Sequence, residues 1–410
     1  MTLTLRSPCR ILGEMMATER TKVGIIGAGP AGLMLAHLLR LAGIETVVLE
    51  ARSREYCETR IRAGLLEQGS VDLLDEIGGA VRLHREALVH GGIHVRFNGR
   101  SHHIDINALT GRSMYIYGQQ ETVKDLIALQ LAAGGQIRFD VSDVAVDALD
   151  TDAPVIRYVD SAGNEGRLRC DFIAGCDGFH GISRPSIPES ALQTYDREYP
   201  FAWLGILSES PPIDPELIYV HHPDGFALFT MRSNSVSRLY LQVAVDEDIA
   251  QWSDDRIWSE LHHRLEGGEA PPLIEGPVLQ KTVLPMRSFV TTPMRFQRLF
   301  LAGDAAHIVP PTGAKGMNLA LADVAVLARA FEKFYASGSE QLLDAYSDTA
   351  LRRVWGAARF SWWMTALTHV FNDRLAFDNQ VQLSELHYIT SSRAGAETLA
   401  EQYVGLPIER

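Results

Sequence analysis

Cysteine is scarce in this sequence, and its spacing excludes two classes of protein. The 410 residues contain only four cysteines, Cys9, Cys57, Cys170 and Cys176, and no two are spaced Cys-x-x-Cys. Such a chain has neither a disulfide scaffold nor the paired cysteines of a zinc site. We therefore predict free thiols in a reducing compartment and no metal centre.

Concentrated positive charge is also absent. Lys and Arg number 38 against 51 Asp and Glu, a formal net charge of −13, and no basic run occurs. Binding to nucleic acid or to an anionic membrane needs clustered Lys and Arg, so neither partner is expected.

Long apolar runs are missing as well. No uncharged apolar stretch reaches the ~18–20 residues that a transmembrane helix requires. Residues 1–20 lack the continuous apolar centre of a signal peptide, and we expect them to form an N-terminal extension in which Met1, Met15 or Met16 is the translation start. These absences predict a soluble, cytoplasmic protein.

The first informative pattern is a strand–loop–helix–strand unit near the N-terminus. The apolar run Val23–Ile26 is followed by the glycine-rich loop Gly27–Gly32, by helical spacing over Leu33–Leu41 and by a second strand over Glu45–Leu49. The glycines permit a tight turn, the approach of a pyrophosphate and close packing of helix on strand, while Glu50 is placed to bind a ribose diol. The unit predicts dinucleotide binding.

Two later segments favour FAD over a nicotinamide nucleotide. A strand over Asp171–Ala174 runs into the turn Gly175–Arg184, and a strand over Arg298–Ala302 ends in Gly303 and Asp304, whose carboxylate suits a ribityl hydroxyl. A loop rich in Pro and Gly then leads into a helix from Met317 to about Phe334. The N–H groups that begin this helix suit the electron-rich edge of an isoalloxazine ring.

The rest of the chain divides into strands and then helices. Short apolar runs separated by turn residues predict an antiparallel sheet between residues 201 and 245, and the chain from Gly338 onward is mainly helical. For Phe360, Trp362 and Trp363 both a helical core and a dimer contact are possible interpretations. The predicted fold is α/β, with a Rossmann-like FAD-binding domain in two parts (21–195 and 291–335), a substrate-binding sheet (196–290), a helical C-terminal region (336–410) and the N-terminal extension (1–20).

Three landmarks in this order resemble the single-component flavoprotein aromatic hydroxylases: the GAGPAG loop with Glu50, Cys176-Asp177-Gly178 before Arg184, and Gly303-Asp304 before a Pro-Pro-Thr-Gly loop. Longer matches, over residues 60–69, 176–184, 303–318, 360–365 and 403–407, are similar to the 4-hydroxybenzoate 3-monooxygenases of that family. The resemblance extends from about Thr21 to Pro407.

The resemblance implies a reaction and its cofactors. The expected enzyme converts 4-hydroxybenzoate to 3,4-dihydroxybenzoate (protocatechuate) through a flavin C4a-hydroperoxide, with non-covalent FAD, O2 and NADPH or NADH, and it forms a homodimer. The substrate ring reacts as a phenolate, so the site has to remove a proton from a phenol with a pKa of ~10.

Matching positions supply the catalytic and substrate residues that the resemblance implies. Tyr219, Tyr403 and His90 form the proton chain, and the carbonyl of Pro311 lies near the phenol. Arg232 holds the substrate carboxylate, a role for which the guanidinium fork is suited. Thr230, where the family commonly has Ser, adds a hydroxyl donor, as does Tyr240, and the effect of Thr230 on substrate range stays open.

The same resemblance assigns residues to the two nucleotides. The FAD-binding positions are Gly27, Gly29, Ala31, Gly32, Glu50, Arg60, Arg62, Ala63, Gly64, Gln119, Asp304, Gly316, Met317 and Asn318, with Arg238 supporting one of two flavin positions. The nicotinamide nucleotide is expected at Tyr56, Arg60, Arg62, His180, Arg184 and Arg287. Coenzyme preference rests on residues 51–56, where Ala51 follows the acid and Arg52 and Arg54 are the nearby cations, so NADPH and NADH both stay open.

Two alternatives come from other readings of the same residues. A related flavin hydroxylase would act on 3-hydroxybenzoate or a salicylate, but the spacing of Tyr219, Arg232, Tyr240 and Tyr403 suits a para-substituted ring. A flavin-binding redox sensor would need neither the tyrosines nor the Pro-Pro-Thr-Gly loop. Oxidation of NAD(P)H triggered by substrate separates the enzyme from the sensor.

Overall fold

The computed structural model describes residues 19–62, 64–268, 272–373 and 375–408. Its strands are β1 Glu19–Arg20, β2 Val23–Ile26, β3 Thr46–Leu49, β4 Leu65–Glu67, β5 Leu88–His90, β6 Gly92–Phe97, β7 Arg100–Asp105, β8 Met114–Ile116, β9 Gln136–Arg138, β10 Ser142–Asp147, β11 Val155–Val159, β12 Glu165–Arg169, β13 Phe172–Gly175, β14 Gln193–Ser208, β15 Leu217–Val220, β16 Ala227–Met231, β17 Ser237–Val243, β18 Val278–Thr292, β19 Arg295–Phe296, β20 Leu299–Leu301 and β21 His307–Ile308.

The helices alternate with these strands in the first half of the chain and dominate its end. They are α1 Pro30–Leu41, α2 Arg54–Thr59, α3 Gln68–Glu76, α4 Val81–Glu86, α5 Ile106–Thr110, α6 Gln119–Ala132, α7 Asp254–Arg264, α8 Gly316–Ser337, α9 Gln341–Asp344, α10 Tyr346–Thr368, α11 Ala376–Ser391 and α12 Arg393–Tyr403. No helix in the described ranges has the length and apolar character needed to cross a membrane.

A six-stranded sheet carries the predicted dinucleotide unit. Its order is β19-β20-β13-β2-β3-β9, and every pair is parallel except β19–β20. All four residues of β2 and of β13 are buried, as expected for central parallel strands covered on both faces. Helix α1 packs against α8 and α6 over this sheet. The predicted Rossmann-like architecture is confirmed.

An eight-stranded sheet follows the order β21-β18-β14-β17-β16-β15-β6-β7. All its pairs are antiparallel except β15–β6, so the antiparallel sheet predicted for the middle of the chain is confirmed and is larger than predicted. Strands β6 and β7 come from the stretch predicted to belong to the FAD-binding part. The parallel pair β15–β6 joins segments more than 100 residues apart. The hydrophobic spacing within either segment does not indicate which strand lies beside it.

The two faces of this sheet are buried against different elements. Side chains alternate along a strand, so Tyr219, Leu228 and Tyr240, which lie opposite one another on β15, β16 and β17, share one face. That face packs in a core with the C-terminal helices, while the other face packs against α7. The shared row of side chains is the floor of the site described below.

The predicted helical C-terminal region is confirmed, and its aromatic residues divide between core and surface. Phe360 is buried in α10, whereas the side chain of Trp362 is 43% exposed. The indole of Trp363 donates to Glu385 Oε1 across 3.2 Å. At the other end of the chain, residues 1–18 lie outside the described ranges, and Glu19–Arg20 pair in parallel with β12.

Candidate active site

The glycine-rich loop between β2 and α1 has the geometry that its sequence predicts. Gly27 has a φ of +105°, and a Cβ there would lie 2.4 Å from the carbonyl oxygen of Cys176. A Cβ on Gly32 would lie 2.0 Å from the carbonyl oxygen of Gly27, so only glycine lets α1 approach the strand. A Cβ on Gly29 would meet nothing within 4 Å, which leaves space beside the start of the helix. Ala31, in the first turn of α1, is buried.

Glu50 lies across the end of the same loop. Its Oε2 accepts from the backbone N–H of Ala28 at 2.7 Å, and its Oε1 accepts from the N–H of Arg52 at 2.8 Å. Each carboxylate oxygen keeps a second lone pair, so both oxygens can still accept from a diol.

The segment that follows α2 contains the predicted FAD positions Arg60, Arg62 and Gly64. Gly64 lies so close to Tyr117 that a Cβ would come within 2.4 Å of the Tyr117 carbonyl oxygen. This contact holds the segment containing Arg60 and Arg62 against the start of α6, where Gln119 is the first helical residue. Ala63 falls outside the described residues.

The turn Gly303–Ala305 presents Asp304 at an exposed position. Its backbone is held by a buried acid on α8, since Asp323 Oδ2 accepts from the N–H of Gly303 at 2.9 Å and lies 2.6 Å from His307 Nε2. Asp304 also acts on Arg62, because burial lowers the pKa of that guanidinium and the negative charge of Asp304 raises it. The predicted FAD residues Arg62 and Asp304 are therefore brought together.

The loop before α8 is fixed by a buried ion pair. Lys315 Nζ lies 2.7 Å from Glu67 Oε1 and donates to the carbonyl oxygen of Tyr403 at 2.8 Å. Arg353 Nη2 lies 3.0 Å from the second oxygen of Glu67. Burial lowers the pKa of Lys315, and the charge of Glu67 opposes that shift.

The first turn of α8 contains the predicted positions Gly316, Met317 and Asn318. The amide of Asn318 is committed to the protein: its oxygen accepts from Ser70 and from the N–H of Glu67, and its nitrogen donates to the carbonyls of Leu65 and Ala314. A Cβ on Gly316 would meet nothing within 4 Å. Backbone N–H groups and open space are thus what this turn offers to a ligand.

Two tyrosine hydroxyls meet beneath the Pro311–Gly313 turn. Tyr219 Oη lies 2.6 Å from Tyr403 Oη and 3.0 Å from the carbonyl oxygen of Thr312. Both rings are buried, and burial raises the pKa of Tyr219 and of Tyr403, so both hydroxyls keep their protons at neutral pH. The carbonyl that accepts from Tyr219 belongs to Thr312, one residue beyond the predicted Pro311, which is exposed.

Arg232 lies at the end of β16 without a carboxylate partner among the described residues. Its Nη2 donates to the backbone carbonyl of Arg62, and its Nε is buried without a hydrogen-bond partner. Burial lowers the pKa of Arg232, whereas Tyr240 acts in the opposite direction. Thr230 lies two residues before Arg232 and therefore on the same face of the strand.

Arg238, the cation on the adjacent strand β17, has different contacts from those of Arg232. Thr230 pairs with Arg238 in register, and Arg238 Nε donates to Tyr240 Oη at 3.2 Å. The guanidinium lies over the Tyr240 ring at 5.3 Å from its centroid. Arg238 and Tyr240 thus support each other beside Arg232.

His90 is buried, but it is not hydrogen-bonded to the tyrosine pair. Both ring nitrogens lack partners among the described residues. Burial lowers the pKa of His90 to about 4, while Glu216 and Asp214 act in the opposite direction. The imidazole is therefore neutral at pH 7, with one ring nitrogen free to accept a hydrogen bond.

The predicted nicotinamide residues form two clusters. Arg184 and Arg287 lie over the ring of Phe179, at 4.5 and 4.8 Å from its centroid, and the exposed His180 packs against its edge. Tyr56 lies in the second cluster, between the guanidinium groups of Arg52 and Arg60. The first cluster contacts the Gly303–Ala305 turn, since Arg184 donates to the carbonyl of Ala305 at 3.0 Å.

Sequence reasoning missed Lys315, Glu67, Arg353 and Asp323. A single lysine in a glycine-rich loop gives no local sign of burial, and Glu67 lies 248 positions from the lysine that it pairs with. The one available signal is Asp323, an aspartate within the apolar run that follows Asn318 in α8.

The fold and this site define a class of protein that binds FAD. The family described as "FAD binding domain" matches residues 20–361, most of the chain, and the chain belongs to that family. A solved p-nitrophenol 4-monooxygenase from Pseudomonas putida has the same fold, with a TM-score of 0.80, 20% sequence identity and coverage of 93% of this chain and 97% of that one.

Sequence relatives identify the branch of this family to which the chain belongs. A p-hydroxybenzoate hydroxylase from Acinetobacter baylyi is 50% identical over 395 residues, which is 96% of this chain and 97% of the relative. A probable NADH-specific resorcinol 4-hydroxylase from Rhodococcus jostii is 27% identical, over 79% of this chain and 61% of that relative. The predicted resemblance is confirmed, and the chain belongs to the flavoprotein aromatic hydroxylases.

Proposed function

We propose that this protein is an FAD-dependent monooxygenase that converts 4-hydroxybenzoate to 3,4-dihydroxybenzoate with NAD(P)H and O2. The observation that carries the proposal is that Arg232 and Tyr219 lie on the same face of the eight-stranded sheet, with Tyr403 of α12 in contact with the Tyr219 hydroxyl. Arg232 supplies a half-buried cation without an acid among the described residues, and the tyrosines supply buried hydroxyls in contact. A ring with a carboxylate at one end and a phenol at the other matches both.

Recognition of the carboxylate rests on the unpaired guanidinium. Arginine stays protonated in proteins, so a buried arginine without an acid retains a charge that a substrate carboxylate neutralises. Nε has no hydrogen-bond partner among the described residues, and together with a terminal nitrogen it can form two parallel hydrogen bonds to one carboxylate. Tyr240 and Thr230 add hydroxyls on the same face of the sheet.

Activation of the phenol rests on the tyrosine pair. A phenol with a pKa of ~10 is ~4 kcal/mol from its phenolate at pH 7. Each tyrosine hydroxyl has one proton. When Tyr219 donates to the carbonyl of Thr312, it accepts from Tyr403; when it donates to Tyr403, it can accept a proton from a phenol. In the second arrangement the phenol proton passes to Tyr219, the Tyr219 proton to Tyr403 and the Tyr403 proton to an acceptor beyond the pair, so the substrate loses one proton and both tyrosines stay neutral.

His90 is the proposed acceptor at the end of the chain. Its pKa of about 4 keeps the ring neutral at pH 7, and its two nitrogens have no other partners among the described residues. Since no hydrogen bond joins the ring to Tyr403, transfer to His90 requires a rotation of the imidazole or a bridging water.

The residues that hold FAD in this proposal fit the group. The open space at Gly29 and at the start of α1 accommodates the pyrophosphate, and Glu50 keeps free lone pairs for the ribose. Asp304 is exposed at the end of its strand for a ribityl hydroxyl, and the first turn of α8 supplies N–H groups to the ring. The bound cofactor, once reduced, supplies the activated oxygen that the phenolate attacks.

NAD(P)H is placed at the two clusters around Phe179 and Tyr56. Arg184 and Arg287 are cations on aromatic faces, and Arg52 and Arg60 flank Tyr56. Ala51 is exposed beside the second cluster, and it is there that the 2′-phosphate of NADPH would be distinguished.

The test of the proposal is a product assay on the purified yellow protein. We expect NAD(P)H oxidation to accelerate when 4-hydroxybenzoate is added and 3,4-dihydroxybenzoate to accumulate. Product from 3-hydroxybenzoate but not from the para isomer would select the alternative hydroxylase. Absence of substrate-dependent NAD(P)H oxidation would leave only a flavin-binding sensor. Acid precipitation is expected to release all of the flavin.

Tyr219→Phe is expected to slow hydroxylation about 100-fold, the lower end of the contribution of general acid–base groups. Without the hydroxyl the phenolate forms slowly, so hydrogen peroxide should replace product while flavin binding persists. Product and peroxide are measured per NAD(P)H consumed. Tyr199→Phe is the matched control, because that tyrosine is also buried and its hydroxyl lies 3.0 Å from Ser288 Oγ. Unchanged coupling in Tyr219→Phe would remove it from the chain.

A homodimer is proposed from the apolar surface of the C-terminal helices. Trp355 and Trp362 on α10, and Phe377, Val381 and Tyr388 on α11, are between 43 and 74% exposed. Several large apolar side chains exposed on neighbouring helices are typical of a protein interface. Sedimentation at equilibrium measures the mass, and a Trp362→Glu variant should shift it toward the monomer.

A further inference from the structure

A cluster of imidazole and carboxylate groups lies on the edge of the eight-stranded sheet, outside the site described above. His94 and His103 are directly opposite each other on β6 and β7, with ring centroids 4.9 Å apart. Glu216 precedes β15 on the other side of β6. The ligand-type atoms of His94, His103 and Glu216 all lie within 4.8 Å of one another.

We propose that these three residues, with Asp214, bind a divalent transition-metal ion of the zinc type. His103 Nε2 lies 2.7 Å from Glu216 Oε2, and His94 Nε2 lies 3.5 Å from Asp214 Oδ1. Two imidazoles and two carboxylates make the four donors that tetrahedral Zn²⁺ prefers. The prediction of no metal centre was based on the spacing of cysteines, and the donors proposed here include no cysteine.

The donors His94, His103 and Glu216 require only a small adjustment, whereas Asp214, which lies outside that 4.8 Å set, has to move further. Bonds of ~2.1 Å in a tetrahedron place neighbouring donor atoms ~3.4 Å apart. The ion would therefore separate His103 from Glu216 by about 0.7 Å and draw the other donors inward. Rotations at the ends of side chains suffice, because the four side chains are 19 to 45% exposed and not locked in a core. That exposure also gives the ion access from solvent.

Gly92 is the residue that lets the cluster form. The side chain of Glu216 reaches His103 by crossing β6 at this position. A Cβ on Gly92 would lie 2.5 Å from His103 Nε2 and 2.8 Å from Glu216 Oε2. Asp214 is oriented as well, since its Oδ1 accepts from the backbone N–H of Glu216 at 2.8 Å. The carboxylates are thus positioned by the backbone, as the supports of a metal site are.

A second group of the same residue types serves as the internal control. His222, Asp224 and His263 also bring donor atoms together, with His263 Nε2 2.8 Å from Asp224 Oδ2. There, however, Arg264 donates to the backbone carbonyl of Asp224 and its charge lowers the pKa of His222. A guanidinium beside the donors opposes a dication, so the first cluster is the one that we assign.

Calorimetric titration of the chelator-treated holoenzyme with ZnCl2 alone tests the assignment. We expect one Zn²⁺ per chain, and His103→Gln should weaken its binding at least about tenfold, the lower end of what loss of even an outer-shell partner costs. His263→Gln should leave that affinity unchanged. Gly92→Ala should weaken binding to a similar extent as His103→Gln while keeping all four donors.

Cobalt provides the second readout. Co²⁺ at the same site should give the intense difference spectrum of a tetrahedral ion, absent in Glu216→Gln. Absence of saturable Zn²⁺ binding, or equal affinity in His103→Gln and the parent, would overturn the proposal. Hydroxylation is not used as a readout, because the charges of Glu216 and Asp214 also act on His90. Zn²⁺ affinity and the Co²⁺ spectrum report on the metal site alone.

Discussion

Two cations in this protein, the buried Lys315 and the half-buried Arg232, have opposite surroundings. Lys315 Nζ lies 2.7 Å from Glu67 Oε1, and Arg353 approaches the other oxygen of the same carboxylate. Arg232 has a backbone carbonyl and no acid among the described residues. A buried charge is costly unless it is neutralised, so the first cation is satisfied by the fold and the second requires an anion from outside.

Buried histidines show the same division. His307 lies 2.6 Å from Asp323; burial lowers its pKa, but the charge and hydrogen bond of Asp323, together with the charge of Asp304, raise it further, and the net shift is upward. His369 has no acid, and burial lowers its pKa to about 3. A histidine without an acid can lose its proton, whereas arginine cannot. Arg232, whose Nε is buried without a hydrogen-bond partner among the described residues, therefore keeps a charge that a ligand anion can neutralise.

The largest expected effect is on the neutralised pair. Glu67→Gln leaves Lys315 with one carbonyl and Arg353 without its acid, and we expect a loss of ~3–5 kcal/mol in the free energy of unfolding. Urea denaturation measures it. Glu58→Gln is the control, because its ion pair with Arg54 is half-exposed and worth ~0.5 kcal/mol. Equal losses in both variants would contradict the contrast between the two cations.

Arg232→Lys should show the reverse pattern. Lysine keeps the charge but loses the two-pronged hydrogen bonding, so 4-hydroxybenzoate should bind ~1.5–3 kcal/mol more weakly, while the melting temperature of the substrate-free enzyme stays close to that of the parent. Binding is measured from the change in flavin fluorescence.

The matching ligand for that variant is 4-hydroxybenzamide, which lacks the carboxylate. Its affinity should be weak for the parent and nearly the same for Arg232→Lys. If the substitution weakened the amide and the acid equally, Arg232 would contact some other part of the ligand.

The dinucleotide-binding unit was predictable because its signals are local. Gly27, Gly29 and Gly32 lie within six residues, and Glu50 ends the next strand, so one short segment specifies the loop, the helix and the ribose position. Arg232 and the tyrosines were located only through the family resemblance. Nothing in the residues near Tyr219 indicates that its hydroxyl meets Tyr403, 184 positions away.

The sheet edge and the ion pair could not be predicted for the same reason. Strands β6 and β7 join the sheet through one parallel pair, β6 with β15, and Lys315 meets Glu67 across 248 positions. Both depend on how the chain returns to itself, which hydrophobic spacing within a segment does not record. The same limit hid the His94 cluster, whose carboxylates lie more than 110 positions after its histidines.

Acid is expected to separate the two kinds of buried histidine. His369 Nε2 accepts from the indole of Trp203 at 2.6 Å, so protonation breaks a buried hydrogen bond. Because the folded-state pKa is below the unfolded value, the unfolded chain binds the extra proton and stability falls as the pH drops below ~6.5. Between pH 7 and pH 5.5 the parent should lose ~1.3 kcal/mol more than His369→Gln, which keeps an acceptor. If the free energy of unfolding changed equally with pH in the parent and in His369→Gln, protonation of His369 would not be the cause of the loss.

The smallest effect is expected where the cations are exposed. Arg52 and Arg60 flank Tyr56 in solvent, and a coenzyme phosphate there gains less than a carboxylate gains at Arg232, because water screens the charges. Ala51→Arg adds one exposed cation directly after Glu50, and we expect ~1 kcal/mol, about a fivefold shift of the kcat/KM ratio toward NADPH. NADH should react as before, since it lacks the 2′-phosphate. The parent and the variant are compared with both coenzymes under substrate saturation. A shift much larger than fivefold would mean that the bound coenzyme shields this cluster from water, and an unchanged ratio would transfer coenzyme selection from position 51 to Arg52 or Arg54.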